Sequence, residues 1–316
     1  MIISASRRTD IPHYYPEWFF NRLREGFVYV RNPVNPLQVS KISLHRDVVD
    51  GIVFWTKNPE PVLERLGELE GWHYYFQFTL TGYGKDIEAG IPDKKHSMIP
   101  IFQRLSRAIG PERVIWRYDP ILLTDKYTPA FHLRAFERIA AALCGYTSSC
   151  VISFVDIYAR NRKFFSASGV RQLTGDEQLF IAAALAKTAG AFGIQVTACG
   201  EAVDLSGCGV VRSSCIDKER FRRMTGCTIT AQKDKNQREA CGCVESIDIG
   251  AYHTCPAGCG YCYANDSPRR VADTCRLYDV LAPLLCGKLS EYDVLTERKM
   301  KSLKDRQMTL ADLFPD

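Results

Sequence analysis

The sequence predicts an α/β protein built on a TIM-type (βα) barrel, complete or partial, and three observations carry that prediction. Short β-branched or aromatic runs alternate with amphipathic stretches through residues 1–201, and strands alternating with helices of ten or more residues indicate parallel βα units. The unit recurs often enough to favour a barrel over an open sheet. Nearly every strand also ends in charged or hydrogen-bonding residues, and barrels collect their function at that end. A chain of 316 residues with 46% apolar and 24% charged residues has the length for one large domain, or one domain with a small appendage.

Taken in order, the predicted strands are Ile2–Ser6, Gly51–Trp55, His73–Thr79, Arg113–Tyr118, Cys150–Asp156 and Gln195–Cys199. Helical patterns lie between them over Tyr15–Glu25, Pro59–Leu69, Ser97–Ile109, Pro129–Leu143 and Asp176–Phe192. Val28–Ser43 reads as a hairpin-like insertion, because Asn32-Pro-Val-Asn-Pro36 is rich in turn residues. After Glu201 the texture changes. Residues 202–245 are rich in Cys, Gly and charge, including Lys233-Asp-Lys-Asn-Gln-Arg238, and form an insertion between the barrel body (1–201) and a last segment, 246–316. That segment opens with a short strand-like run, Ser246–Ile249, leading straight into a cysteine loop.

The strand exits carry Arg7-Arg8-Thr9-Asp10, Thr56-Lys57-Asn58, Thr79-Leu80-Thr81-Gly82, Arg117-Tyr118-Asp119-Pro120, Asp156 and Cys199-Gly200-Glu201. A ring of such groups around one mouth outlines a site, with Lys57 and Asp119 the candidates for catalytic contact. No Gly-rich phosphate loop follows any strand, and no serine sits in a nucleophile elbow. A net charge of +5 neither requires nor excludes a polyanionic partner. No apolar run nears the ~18 residues of a membrane span, and Met1–Arg8 does not read as a signal peptide, so the expectation is a cytoplasmic protein with no membrane partner.

Thirteen cysteines would suggest disulfides if they were spread evenly, but eleven fall between Cys199 and Cys286. In a reducing compartment such clustering reads as metal binding. Cys255-Pro-Ala-Gly-Cys259-Gly-Tyr-Cys262 offers three thiolates at a CxxxCxxC spacing, which suits three irons of a [4Fe–4S] cube and leaves the fourth open. Structural zinc, with His253 or another cysteine as fourth ligand, is the alternative. A second site is indicated by Cys241-Gly-Cys243, with Cys199 and Cys215 as completions and Cys208 and Cys227 as alternates. A second [4Fe–4S] cluster or a zinc ion satisfies four thiolates equally. Cys144, Cys150, Cys275 and Cys286 read as apolar core residues.

The CxxxCxxC run resembles the signature of the radical S-adenosylmethionine (radical SAM) superfamily. The resemblance implies that the open iron chelates S-adenosylmethionine and that its reductive cleavage yields a 5′-deoxyadenosyl radical. It also implies a reductant such as flavodoxin or ferredoxin. Arg7 and Arg8 then become cofactor-binding candidates, because guanidinium forks match carboxylates of cofactor or substrate; the alternative is pairing with Asp10 or Asp119 to close the mouth. Tyr261, before the last cysteine, is the third cofactor-side candidate.

In most of that superfamily the motif lies near the N-terminus, which implies here a circularly permuted barrel whose cluster strand, Ser246–Ile249, closes beside Ile2–Ser6. Longer segments, Ile3–Pro12, Val53–Pro59, Val114–Ile121, Lys233–Arg238 and Cys241–Asn265, make the chain similar to a bacterial family labelled only as a domain of unknown function. Trp55-Thr-Lys57 and Arg117-Tyr-Asp-Pro120 more weakly resemble spore photoproduct lyase and its relatives, which implies DNA as a partner. The ending Thr309-Leu-Ala-Asp-Leu-Phe314 resembles peptides that dock on the replication clamp; packing of this amphipathic segment on the barrel is the alternative. A zinc-stapled nucleic-acid-binding module and an iron–sulfur electron-transfer or sensing protein are the readings from other classes.

Overall fold

The structure, a computed structural model, describes residues 1–157 and 161–305. Its centre is an eight-stranded sheet: β1 (Ile2–Ala5), β2 (Gly51–Thr56), β3 (Tyr74–Thr79), β4 (Val114–Ile121), β5 (Ser149–Phe154), β6 (Gln195–Ala198), β7 (Val211–Arg212) and β8 (Ile247–Asp248). The spatial order is β8-β1-β2-β3-β4-β5-β6-β7, and every pairing is parallel. All neighbours but one are consecutive in sequence. The exception is the last strand, which lies beside the first, with Ile3 opposite Ile247 and Ser4 opposite Asp248. Among the described residues no ladder joins β7 to β8, so the hydrogen-bonded sheet is open along that seam.

Alternation along the strands separates two cores. Ile3, Phe54, Phe76, Trp116, Ile152 and Val196 face the helices, including Pro16–Glu25, Ile99–Ile109, Pro129–Leu143 and Gly175–Gly190. Phe54 stacks on Phe76 with centroids 4.7 Å apart, and Trp116 stacks on Phe136 at 4.6 Å. The opposite face starts apolar, with Ile2, Val53, Tyr75, Ile115 and Val151, and this base is covered by Ile216, Phe221, Ile229 and Leu303. Phe221 presses so closely on β2 that a Cβ at Gly51 would stand 1.9 Å from its ring. Each fully buried aromatic of this kind contributes roughly 1.5–3 kcal/mol by leaving water.

Several boundaries differ from the sequence expectation. Pro59–Leu69 forms only one α-turn, Glu60–Leu63, and a 3-10 turn, Leu66–Leu69; Pro61 fits the first turn of the α-helix, and Gly67 disfavours its continuation. A π-type turn over Lys94–Met98 precedes the helix Ile99–Ile109. The Val28–Ser43 insertion is an antiparallel pair, Phe27–Arg31 with Gln38–Ser43, and Val294–Glu297 adds to it in parallel. The basic stretch before the C-terminus contributes Lys304–Asp305, paired with Thr228–Ile229, whereas Thr309–Phe314 lies outside the described residues. Segment 301–303 also meets the amino terminus: the Met1 ammonium donates to Lys301 O at 3.0 Å and to Asp50, which accepts the Leu303 amide at 2.6 Å. No helix among the described residues is long and apolar enough to cross a membrane.

Candidate metal centres

Higher on the face opposite the helices the strands turn polar, with Ser4, Trp55, Gln77, Arg117 and Ser153 just below their carboxyl ends. Above them opens a cavity of about 330 Å³, within the size range of small-molecule sites. Arg7, Lys57, Asp119 and Cys199 from the strand exits line it together with both groups of clustered cysteines.

The CxxxCxxC loop is held there from two directions. At its base, Asp248 of β8 accepts hydrogen bonds from Ser4 Oγ (2.9 Å), Ser6 Oγ (2.6 Å), the Arg7 amide (2.8 Å) and the Gly250 amide (3.0 Å). Gly250 is required by close approach, since a Cβ there would lie 2.1 Å from Ser6 Oγ. At its tip, the Gly90 amide donates to Ala257 O and the Gly260 amide to Ile87 O, both at 2.9 Å. Asn265 Nδ2 closes the loop on Cys255 O at 2.8 Å. Cys255, Cys259 and Cys262 are each half-buried and line the cavity. Burial pushes all three thiols up, Cys259 to about 12, so thiolates here need a positive partner.

These three sulfurs do not stand within 4.8 Å of one another, and among the described residues neither does any trio including His253. Instead His253 Nδ1 lies 3.3 Å from an Asp266 carboxylate oxygen. The thiols are therefore too widely spread for one tetrahedral ion in this arrangement, whereas each thiolate of a cube binds a different iron.

The other group is tighter. Cys199 Sγ lies 3.7 Å from both Cys241 Sγ and Cys243 Sγ, and all three sulfurs fall within 4.8 Å of one another. They form a group able to hold a metal. Cys215 interacts with Cys199 and Cys243, and its sulfur accepts from Arg117 Nη1 at 2.9 Å. Its carbonyl is pinned by Tyr75 Oη (2.7 Å) and Gln77 Nε2 (2.9 Å). Hydrogen bonds from Cys215 and Cys241 hold the Cys199 thiol down at about 7. Of the alternates, Cys208 donates to Leu179 O and Cys227 packs beside Thr225, both away from this group. Cys150 is fully buried, Cys275 and Cys286 sit beside the Tyr15 hydroxyl, and Cys144 is exposed, contrary to its expected core position. Cys144 follows Leu143, the end of a helix whose buried side does not extend to it.

Between the two groups lie the charged residues. The Trp55 ring sits 5.2 Å from the Arg7 guanidinium and 5.1 Å from that of Arg117, and its Nε1 donates to Ser4 Oγ at 3.1 Å. Arg117 Nε donates to Asp119 Oδ2 at 3.1 Å, and Ser153 Oγ also donates to Asp119. Burial opposes the Asp119 charge, but Arg117 outweighs it and holds the carboxyl below its ordinary range. Arg7 stands 4.0 Å from Asp234, and its Nη2 is buried with no hydrogen-bond partner. Arg8 packs over Tyr252 at 5.0 Å and reaches Gly250 O at 3.4 Å. Neither arginine pairs with Asp10 or Asp119, which corrects that alternative. Asp10 instead caps the turn Ile11–Tyr14 and accepts the Lys57 amide at 2.7 Å, while Asp119 is already engaged by Arg117.

Lys57 leads to residues that sequence reasoning missed. Its Nζ donates to Glu88 Oε1 at 2.6 Å, and Lys94 and the Tyr261 hydroxyl donate to the same carboxylate. Lys57 Nζ also lies 5.3 Å from the Tyr261 ring centroid. Burial works against the Glu88 charge, but Lys57 and Lys94 outweigh it and hold the carboxyl at about 2. Burial likewise opposes the Lys57 ammonium, yet Glu88 keeps it above its ordinary value. Glu88 lies in a charged loop and Lys94 opens the π-type turn, and no local pattern marks either as part of the site.

The family described as a domain of unknown function (DUF1848) matches residues 2–264, from β1 through the third cysteine of the CxxxCxxC loop, and the chain belongs to that family. No curated protein matches the sequence.

Proposed function

We propose that this family member is an iron–sulfur enzyme of the radical SAM type, acting on a substrate bound in the cavity above the sheet. The observation that carries the reading is the CxxxCxxC loop itself. Its three sulfurs are spread beyond single-ion spacing, and they open into a cavity whose wall holds the unpartnered Arg7 Nη2. Cys255, Cys259 and Cys262 would hold a [4Fe–4S] cluster, and the three-thiolate donor set leaves one iron free for S-adenosylmethionine. When bound, the pair supplies one-electron reductive cleavage of the cofactor's S–C bond, with the electron drawn from a carrier such as flavodoxin or ferredoxin.

The chain's own residues do the rest by orientation and electrostatics. Arg7 offers its orphaned Nη2 to a carboxylate, the match a guanidinium makes best. Trp55, flanked by Arg7 and Arg117, gives a rigid floor. Lys57 and Tyr261 are locked by Glu88, so polar groups near Cys259 hold fixed positions. Asp119, kept anionic by Arg117, is available to accept a hydrogen bond from substrate. In this reading the parallel sheet is a barrel-like half-shell whose cluster strand has been moved to the end of the sequence.

The test is anaerobic incubation of reduced, iron-loaded protein with S-adenosylmethionine. The expected product is 5′-deoxyadenosine, absent from a Cys255→Ala control. Equal traces in both proteins, or purified protein carrying zinc and no iron, overturn the proposal.

A further inference from the structure

We propose that Cys199, Cys215, Cys241 and Cys243 bind one zinc ion, and that this ion closes the open seam of the sheet between β7 and β8. The spacing of the sulfurs fits one ion. A tetrahedral ion with metal–sulfur bonds of about 2.3 Å sets its thiolates ~3.8 Å apart. Cys199 stands 3.7 Å from both Cys241 and Cys243. A cube binds each thiolate to a different iron, which separates the sulfurs well beyond contact. The two cysteine groups on this cavity therefore differ: the sulfurs of one lie within 4.8 Å of one another, and those of the other do not. Nor is 3.7 Å a bonded distance, since a disulfide brings its sulfurs to about 2.05 Å.

The four cysteines come from both sides of the seam. Cys199 directly follows β6, Cys215 lies just past β7, and Cys241 and Cys243 precede β8. The backbone ladder that joins every other neighbour in the sheet is missing between β7 and β8 among the described residues. One ion held from both sides would link the two edges there. Around it, Arg212 Nη2 donates to Ala240 O (3.1 Å), Ser214 Oγ to Gly242 O (2.6 Å), the Val244 amide to Ile216 O (3.2 Å) and the Ile216 amide to Cys243 Sγ (3.4 Å), so the ion would reinforce loop contacts where no strand ladder forms.

Charge completes the case. A divalent ion with four thiolates carries a net −2, which a buried site must offset. Arg117 Nη1 donates to Cys215 Sγ at 2.9 Å, and the half-buried Arg7 guanidinium lines the same cavity as these cysteines. Arg117, braced by Asp119, is thus a positioning residue for the fourth thiolate, which stands outside the mutual 4.8 Å of the other three.

The assignment is independent of what the CxxxCxxC loop holds, and the experiment keeps the two apart. In a Cys255→Ala/Cys259→Ala/Cys262→Ala variant, the expected result is about one zinc per chain with iron lost. In Cys241→Ala/Cys243→Ala the expectation is the reverse: zinc falls at least tenfold while iron stays. X-ray absorption at the zinc edge of the unaltered protein covers the case in which a variant does not fold, and should show a single sulfur shell with no metal–metal scattering. Iron and sulfide retained in the triple variant would overturn the proposal. So would metal–metal scattering, or four freely alkylated thiols in metal-replete protein.

Discussion

The Asp248 carboxylate accepts the Ser4 hydroxyl at 2.9 Å across 244 residues of sequence. With Ser6 Oγ and the amides of Arg7 and Gly250 on the same side chain, this one group welds the last strand of the sheet to the first. Asp248→Ala strands four donors in a half-buried site. At 1.5–3 kcal/mol for a hydrogen bond to a charged group, discounted for water entry, the expected loss is about 3 kcal/mol. Urea unfolding measures it, and iron loading of the CxxxCxxC loop should fall in parallel. A variant as stable and as iron-replete as the parent would show that the clamp is incidental.

Arg7 offers the sharpest test of cofactor contact. Arg7→Lys keeps the charge but loses the fork that presents Nη2. The expected effect is at least a tenfold weaker apparent affinity for S-adenosylmethionine, about 1.4 kcal/mol, with iron content unchanged. Titration of the cluster spectrum with cofactor reads this directly; unchanged affinity removes Arg7 from the site.

Glu88 holds two ammonium groups with no exposed side-chain surface of its own. Glu88→Gln leaves Lys57 and Lys94 without a counter-charge, and removing one partner of a buried pair costs about 3–5 kcal/mol. A Glu88→Gln/Lys94→Met double variant should recover part of that loss in thermal unfolding. If the single variant matches the parent, the lysines have found water and the network is not a fixed platform.

His132 sets a pH dependence of its own. It is fully buried, with Nε2 2.8 Å from Leu122 O and Nδ1 3.0 Å from the Tyr118 hydroxyl, and burial lowers its pKa to about 4. Unfolded, it titrates near 6.5. Between those values the unfolded chain binds the proton and the folded chain does not, so stability is full above pH 6.5 and falls as pH drops towards 4. The loss reaches roughly 3 kcal/mol at most. Urea midpoints at pH 7.5 and pH 5 should differ accordingly, and His132→Gln should flatten the difference.

The alternation of strands and helices was legible because side-chain period and turn residues are local properties, and seven of the eight strands fall where the sequence predicts them, Ile247–Asp248 within the expected Ser246–Ile249 and beside β1. The one missed strand, Val211–Arg212, has two residues. Its pairing comes from its neighbour, and no periodicity shows in a run that short. The helix expected over Pro59–Leu69 breaks after Leu63, and Gly67 disfavours its continuation despite the apolar spacing.

At the site, the sequence by itself determined which thiols sit together on one loop, since the spacing of Cys255, Cys259 and Cys262 is local, and it marked the strand exits where Arg7, Lys57 and Asp119 line the cavity. Only the tertiary structure decided that both cysteine groups share one cavity, that one is ion-sized and the other wider, and that Glu88 locks Lys57 to Tyr261. Distances between sulfurs and the partners of a buried charge depend on which strands become neighbours. In a parallel sheet those neighbours are set by crossovers, not by residues adjacent in sequence.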